Sequence, residues 1–471
     1  MNLNEIKYAY FLGIGGIGMS AIARYLKSRG IAVSGYDKTP SDLTDALQKE
    51  GIDITFEDSI STLPSCIASN AEAVLLVYTP AIPADHIQLN HLRDSGQPLH
   101  KRSEVLGIIS KDAYCIAVAG THGKTTTSTL IAHLLCECNV NFAAFLGGIS
   151  ANYGTNYINH TTGRNIFPDK PIVVLEADEF DRSFHRLNPD TAIITAIDPD
   201  HLDIYENEEA FREAFRIFAG KIKPGGQLIY HRSLQESWPE DIRCTTYGIR
   251  ATGNPSVACE NIITSGDAFH FDITITDENT QKTFPGWQSG LPGFHNVENA
   301  TAALAACLAL PGLSEADLRR GISSYRGAKR RFEYVVKTTD TVVIDDYAHH
   351  PQELNAIIGS VKALYPNRAI TGIFQPHLFT RTRDFADGFA ESLDKLDVPI
   401  LMDIYPAREL PIPGITSEWL VTKMKNPAAK RMRTDEVINF VRNSKPSLLL
   451  ILGAGDIDRL VPVIKEIYHG N

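Results

Sequence analysis

Cysteine is sparse and unpatterned: Cys66, Cys115, Cys136, Cys138, Cys244, Cys259 and Cys307 are spread over 471 residues, and no CxxC pair occurs. An odd count without paired spacing argues against a disulfide framework and for reduced thiols in the cytosol. Cys136 and Cys138 stand two apart on an expected helix and so point to different faces, which argues against a metal site there. No apolar run is long enough to cross a bilayer. The opening M-N-L-N-E-I-K-Y-A-Y-F-L-G lacks a basic region followed by an apolar signal core, so a cytoplasmic chain without membrane insertion is expected. No basic block stands out against a net charge of −11, which argues against nucleic acid as the main partner. Short internal repeats and low-complexity tracts are absent too. Apolar residues are not lacking: they make up 43% of the chain, enough for real cores, and the length suggests about three domains. Oligomeric state has no signature in the sequence.

One further absence sits inside a motif. Residues 120–125 read G-T-H-G-K-T after an apolar run, and a common P-loop would carry a glycine where Val118 stands. The stretch nevertheless has the parts of a phosphate cradle. Gly120 and Gly123 remove side chains where phosphate oxygens approach, and Lys124 supplies a fixed positive charge. Thr125 can ligate Mg²⁺, and the helix beginning at Thr125–Ser128 adds free N–H groups. A second glycine turn, G-I-G-G-I-G at residues 13–18, matches GxGxxG after the strand-like Y-A-Y-F-L. Alone it suits any dinucleotide-type diphosphate, with Asp37 closing the second strand near a ribose hydroxyl, and NAD is the first thought. A dehydrogenase needs only the first turn and an NTPase only the second. Both together suggest an ATP-driven reaction on a substrate that itself carries a diphosphate.

Strand-like runs alternate with helix-like stretches, so the fold class is α/β with mostly parallel sheets. The N-terminal unit takes I-A-V-S-G-Y-D and A-V-L-L-V-Y as further strands, and the second begins at Cys115–Ala119. In residues 240–290, T-T-Y-G, F-H-F-D-I-T-I-T and T-F-P-G-W suggest a short antiparallel insert, followed by a helix over Val297–Leu310. Polar clusters fall at the carboxyl ends of strands, where open α/β sheets gather ligands. Glu176 and Asp178 follow P-I-V-V-L in a place suited to a Mg²⁺-binding carboxylate, or to plain solvated surface. His201, among Asp198, Asp200 and Asp203, is either a metal neighbour or structural. Asn299 can read an adenine edge or cap a helix. Arg381 and Arg383 can clamp a carboxylate or form surface ion pairs.

In chain order, G-I-G-G-I-G-M-S, A-G-T-H-G-K-T-T-T, E-A-D-E, D-H-L-D, H-N-V-E-N-A, R-R-F-E, D-D-Y-A-H-H-P, F-Q-P-H and G-A-G-D resemble the Mur ligases of peptidoglycan precursor synthesis, most closely the branch that adds alanine. The resemblance spans nearly the whole chain, and its phosphate loop is the short form without the leading glycine. It implies three domains. Residues 1–110 form a Rossmann-like domain for the UDP end of a nucleotide sugar. Residues 111–327 form a P-loop ATPase-like, mostly parallel sheet with the antiparallel insert. Residues 328–471 form a second Rossmann-like domain that closes over the site and admits the amino acid. The implied substrates are UDP-N-acetylmuramate and L-alanine, with ATP and Mg²⁺ as cofactors, and the implied product is an amide made through an acyl phosphate. By the same likeness Gly120, Thr121, His122, Gly123, Lys124, Thr125 and Thr126 cradle ATP, with Asn299 on adenine and Arg331 and Asp346 meeting ATP from the C-terminal side. Thr125, Glu176 and His201 attend Mg²⁺, and Lys124, His201 and Glu176 carry the catalysis. Gly13, Gly15, Gly16, Ile17, Gly18, Asp37, Thr79 and Ala81 hold the UDP-sugar, and His349, Arg381 and Arg383 contact the amino acid.

Two departures from the family pattern stand out. Several sister ligases carry a carbamylated lysine shortly after D-H-L-D, whereas here no lysine occurs between D-H-L-D and Lys221. The alanine-adding branch shares that absence, and the second metal site stays unassigned. Many of its members also have arginine in the slot of Leu378. The rival readings are a ligase that reattaches a recycled tripeptide to the same nucleotide sugar, an NAD-dependent oxidoreductase, and a non-catalytic nucleotide-binding scaffold.

Overall fold

The computed structural model describes residues 2–69, 73–198, 205–250, 254–265, 268–277, 280–407 and 409–469. The first sheet has five parallel strands in the order Asp53–Thr55, Ala32–Tyr36, Tyr8–Leu12, Val74–Tyr78 and Leu99–Lys101. Its central strands are apolar along their whole length because helices cover both faces; Ala9, Phe11 and Leu12 are essentially inaccessible. Strand order reverses between Tyr8–Leu12 and Val74–Tyr78. The crevice beyond their carboxyl ends is the natural ligand position in such a sheet, and G-I-G-G-I-G opens into it ahead of the helix Ile17–Ser28.

The second sheet is built around Tyr114–Ala119, paired in parallel with Thr191–Ile194 on one side and Ile172–Glu176 on the other. Phe142–Phe145 continues it in parallel, and Tyr157–His160 closes that edge antiparallel. On the opposite edge T-T-Y-G does not belong to a separate insert. It lies in Arg243–Ile249, which pairs in parallel with Gln227–His231 and so extends the main sheet. The strands Val257–Ser265, Ala268–Asp277 and Thr280–Ser289 follow it as successive neighbours. The next helix begins earlier than its alanine-rich core suggests, at Phe294, and runs to Leu308.

The first sheet and most of the second belong to one compact unit, Met1–Glu260 with Asp272–Trp287 and Glu298–Tyr325. A single apolar cluster joins them, running from Phe11 and Ile22 through Val105 and Ile109 on the helix Arg102–Lys111 to Cys115, Phe145 and Phe184. A polar joint reinforces it. The fully buried Asn156 donates to Ser20 Oγ at 2.9 Å and to the Ile17 carbonyl, and accepts from Arg24. Losing such buried partners costs about 1–3 kcal/mol.

The second unit comprises Asn261–Phe271, Gln288–Val297 and Arg326–Asn471. Its sheet runs Glu333–Lys337, Val342–Asp346, Leu448–Leu452, Thr371–Phe374, Val398–Leu401 and Lys430–Arg431, with only the first strand antiparallel.

Candidate active site

The glycine corner of the first unit is held from three sides. Gly13 adopts φ +84°, and a Cβ there would stand 2.6 Å from Thr79 Cγ2. The N–H groups of Gly13 and Ile14 donate to the Tyr36 carbonyl at 2.8 and 3.0 Å. Gly15 N–H donates to Asp37 Oδ2 at 2.7 Å, and a Cβ on Gly15 would lie 2.7 Å from Thr44 and 2.8 Å from that carboxylate oxygen. Asp37 therefore pins the turn. Gly16 is the N-cap, and the helix that starts at Ile17 has neither a capping side chain nor an acid in its first turn. Ala81 N–H faces Thr79 Oγ1 at 3.5 Å. Thus Gly13, Gly15, Gly16, Ile17, Gly18, Asp37, Thr79 and Ala81 all follow the carboxyl ends of three neighbouring strands, Tyr8–Leu12, Ala32–Tyr36 and Val74–Tyr78.

The lysine corner follows Tyr114–Ala119. Gly120 has φ +130°, and a side chain there would collide with Thr195. Gly123, at φ +80°, is the left-handed N-cap of the helix Lys124–Glu137, and its Cβ would meet Asn299 Oδ1 at 2.5 Å. Asn299 is buried and accepts from Thr127 Oγ1 at 3.3 Å, so it leans over the loop. Thr121 Oγ1 accepts from Asp198 N–H at 3.2 Å, and His122 Nε2 lies 3.6 Å from Asp198 Oδ2. Thr125 and Thr126 are buried in the first helical turn.

Lys124 Nζ donates to the Gly120 carbonyl at 2.6 Å and to Glu179 Oε1 at 2.7 Å. Burial pushes the Glu179 carboxyl up to about 7, against the pull of Lys124. Burial also works against the Lys124 charge, but Glu179, Glu176 and Asp178 together outweigh it and raise the lysine pKa. The ammonium stays charged, as a phosphate ligand must. Glu176 ends its strand with Oε2 accepting Gly147 N–H at 3.1 Å, and any side chain on Gly147 would strike that carboxylate. His201 lies outside the described residues. Among those described, no three His, Cys, Asp or Glu side chains form a cluster able to hold a metal ion.

The two corners meet across the E-A-D-E turn. Asp178 Oδ2 pairs with Arg102 Nη2 at 3.0 Å, while the next residue, Glu179, holds Lys124. Arg102 in turn fills the space over Gly18, where a Cβ would collide with its guanidinium. Consecutive acids therefore grip one cation beside each corner. The segment that follows, Phe180–Arg186, is strained: Asp181 and Arg182 sit in the left-handed region, at φ 53° and 59°. Arg102 and Asn156 escaped the reading from sequence. K-R-S-E reads as an ordinary helix start, and nothing local marks Arg102 as the neighbour of Gly18.

The second unit carries its own constellation. Asp346, buried at the end of Val342–Asp346, accepts the N–H groups of Phe332 and Ala348 at 2.7 and 2.8 Å. Its pKa is raised by burial, with Arg331 opposing. Arg330 and Phe332, at φ 61° and 51°, flank Arg331, whose guanidinium lies over the Tyr347 ring at 4.9 Å and 3.8 Å from Glu353. His349 Nδ1 is 3.0 Å from the Tyr347 carbonyl and 3.2 Å from Glu353 Oε2, and its ring faces His377 at 6.0 Å. Arg331, Asp346 and His349 thus converge on the start of the helix Pro351–Leu364. Arg381 is buried, whereas Arg383, two residues on, is half exposed and pairs with the adjacent Asp384 at 2.7 Å. Leu378 precedes them at φ 69°, a strained conformation for a branched side chain.

Three family models match in chain order: "Mur ligase family, catalytic domain" over residues 8–114, "Mur ligase middle domain" over 118–307, and "Mur ligase, glutamate ligase domain" over 330–455. A UDP-N-acetylmuramate–L-alanine ligase of Porphyromonas gingivalis is 47% identical, covering 98% of this chain and 99% of its own. The chain belongs to the Mur ligase family. A second relative of the same name, from Flavobacterium johnsoniae, is 45% identical over the full length of both chains. Among solved Mur ligases, the UDP-N-acetylmuramate–alanine ligase of Thermotoga maritima superposes with a TM-score of 0.79 at 26% identity, over 98% of this chain and 99% of its own. A murein peptide ligase of Psychrobacter arcticus shares the fold, with a TM-score of 0.68 at 21% identity over 98% of this chain and 99% of its own.

Proposed function

We infer that this protein joins L-alanine to the lactyl carboxylate of UDP-N-acetylmuramate at the expense of ATP, in the cytoplasm, as a step of peptidoglycan precursor synthesis. The observation that carries the reading is the shared turn: Asp178 and Glu179 reach the glycine corner and the lysine corner at once. An oxidoreductase has no use for Lys124, and a scaffold has no use for two phosphate sites tied to one turn.

A carboxylate is a poor acyl donor because its oxygen is a bad leaving group. Here a lactyl carboxylate oxygen attacks the γ-phosphorus, the β–γ bridging bond breaks, and ADP departs, leaving an acyl phosphate. The deprotonated amine of alanine then adds to the acyl carbon. The tetrahedral intermediate collapses, and phosphate leaves with the oxygen that came from the carboxylate. Lys124 releases Glu179 to hold the β- and γ-phosphates, and the N–H groups at the start of Lys124–Glu137 spread the developing charge. The remaining ATP contacts fall to Gly120, Thr121, His122, Gly123, Thr125 and Thr126, with Asn299 toward adenine. Gly13 to Gly18, Asp37, Thr79 and Ala81 take the UDP end, and His349 and Arg381 the alanine.

The residues around the loop fit a hard divalent cation. The donors are oxygens, Gly147 leaves room for the Glu176 carboxylate, and Glu179 Oε2 is buried with no hydrogen-bond partner. Thr125 and Glu176 would hold Mg²⁺, and the role expected of His201 falls outside the described residues. Mg²⁺ bound there would neutralise charge on the phosphate oxygens.

Phosphate release tests the assignment, using UDP-N-acetylmuramate, ATP and each amino acid in turn. Release should require all three components and be fastest with L-alanine. Release driven by the L-alanyl-γ-D-glutamyl-diaminopimelate tripeptide instead of alanine would move the protein to the recycling branch. ATP bound but never cleaved would make it a scaffold.

A further inference from the structure

We propose that Arg102 is a two-position anion ligand: Asp178 holds it in the ligand-free protein, and it turns to the diphosphate of the nucleotide sugar when the glycine corner fills. The proposal rests on the reading of that corner as the UDP-sugar site.

The Arg102 guanidinium lies over Gly18 in the first turn of Ile17–Ser28, a helix with no acid in that turn. A cation at the positive end of a helix is unfavourable unless an anion joins it. Asp178 plays that part here, at 3.0 Å. The bridge to Asp178 also exchanges easily. The Arg102 and Asp178 side chains keep 25% and 39% of their exposure, so their pairing is screened by water and weak. A diphosphate brings more charge, accepts a guanidinium through two oxygens, and also meets the N–H groups that open the helix Ile17–Ser28.

Handing Arg102 over changes the other corner. Asp178 Oδ1 still accepts Phe180 N–H at 3.1 Å, so the turn keeps its anchor. Its carboxylate loses its counter-ion one residue from Glu179, beside Lys124. Occupancy of the sugar corner therefore alters the field at the phosphate loop, and by linkage the reverse holds.

Calorimetric titration of the full chain separates this from a purely structural ion pair. Arg102→Gln and Asp178→Asn break the same bridge, so a structural role shifts ligand affinity in one direction for both. The proposal expects opposite signs. Arg102→Gln weakens UDP binding about tenfold or more, on the scale of one charge-assisted hydrogen bond. Asp178→Asn tightens it by freeing the guanidinium, and Arg102→Lys falls between Arg102→Gln and wild type. Circular dichroism and thermal melts establish that each variant is folded. Equal weakening by Arg102→Gln and Asp178→Asn, or unchanged UDP affinity in Arg102→Gln, overturns the proposal and leaves the ligase reading intact. If Arg102→Gln weakens UDP-N-acetylmuramate but not UDP, the partner is the lactyl carboxylate, and the diphosphate assignment fails. Wild-type protein that binds neither ligand removes the ligase reading and the proposal together.

Discussion

The turn at residues 13–18 and the turn at residues 120–125 both follow a buried strand and both open a helix, yet only the second carries its own cation. At the first, the glycine N–H groups are partly occupied from within: Asp37 takes Gly15, and the Tyr36 carbonyl takes Gly13 and Ile14. The positive charge there comes from Arg102, on another helix. At the second, Lys124 lies in the loop, anchored to the Gly120 carbonyl two glycines back. The difference matches the work proposed for each. A corner that only holds a diphosphate can borrow charge from a side chain on a neighbouring helix. One where a phosphoanhydride bond breaks needs that charge fixed to the backbone that positions the phosphates.

Removing the cation of the second turn should cost the most. Lys124→Ala should lower kcat by about a thousandfold or more while circular dichroism stays native, because the phosphoryl charge loses its main counter-ion. Near-normal turnover in the folded variant would refute the role of Lys124. Substituting one glycine at a time should sharpen the contrast. Gly123→Ala, forced to φ +80° against Asn299, should raise KM for ATP roughly tenfold and spare UDP-N-acetylmuramate. Gly15→Ala, pressed onto Thr44 and Asp37, should do the reverse. Steady-state kinetics with each substrate varied reads both. In the second unit, Arg381→Ala should raise KM for alanine about tenfold, whereas Arg383→Ala, removing an exposed pair, should change it less than about twofold.

The smallest effect concerns the clasp on Lys124. In the folded protein the Glu179 carboxyl titrates near 7, above its ordinary 4.5. A raised carboxyl favours the fold in its neutral form. Its contribution is complete below the unfolded value and disappears as pH rises through the folded one. Glutamine does not titrate. The melting temperature of Glu179→Gln minus that of wild type should therefore climb between about pH 5 and pH 8, and a flat difference would contradict the raised carboxyl.

What could be read from the sequence follows local pattern. The buried strands, both glycine turns, Lys124 and the carboxylate at the end of P-I-V-V-L-E all announce themselves within a few residues. T-T-Y-G was misplaced because a short strand looks alike in a hairpin and in a parallel edge; only its pairing with Gln227–His231 decides, and that partner is not local. Arg102, Asn156 and the split roles of Asp178 and Glu179 were illegible for the same reason. Each depends on a neighbour brought up by the packing of two sheets. Arg381 and Arg383 looked equivalent until the helix turned one inward and one outward.

In the proposed reaction the acid bound at the glycine corner attacks the triphosphate bound at the lysine corner. Oxygen-18 in the lactyl carboxylate of UDP-N-acetylmuramate tests it most directly, with mass spectrometry of the phosphate released on complete turnover with L-alanine. Attack by the carboxylate puts one labelled oxygen into each phosphate formed. Phosphate free of label, alongside normal amide product, would contradict it.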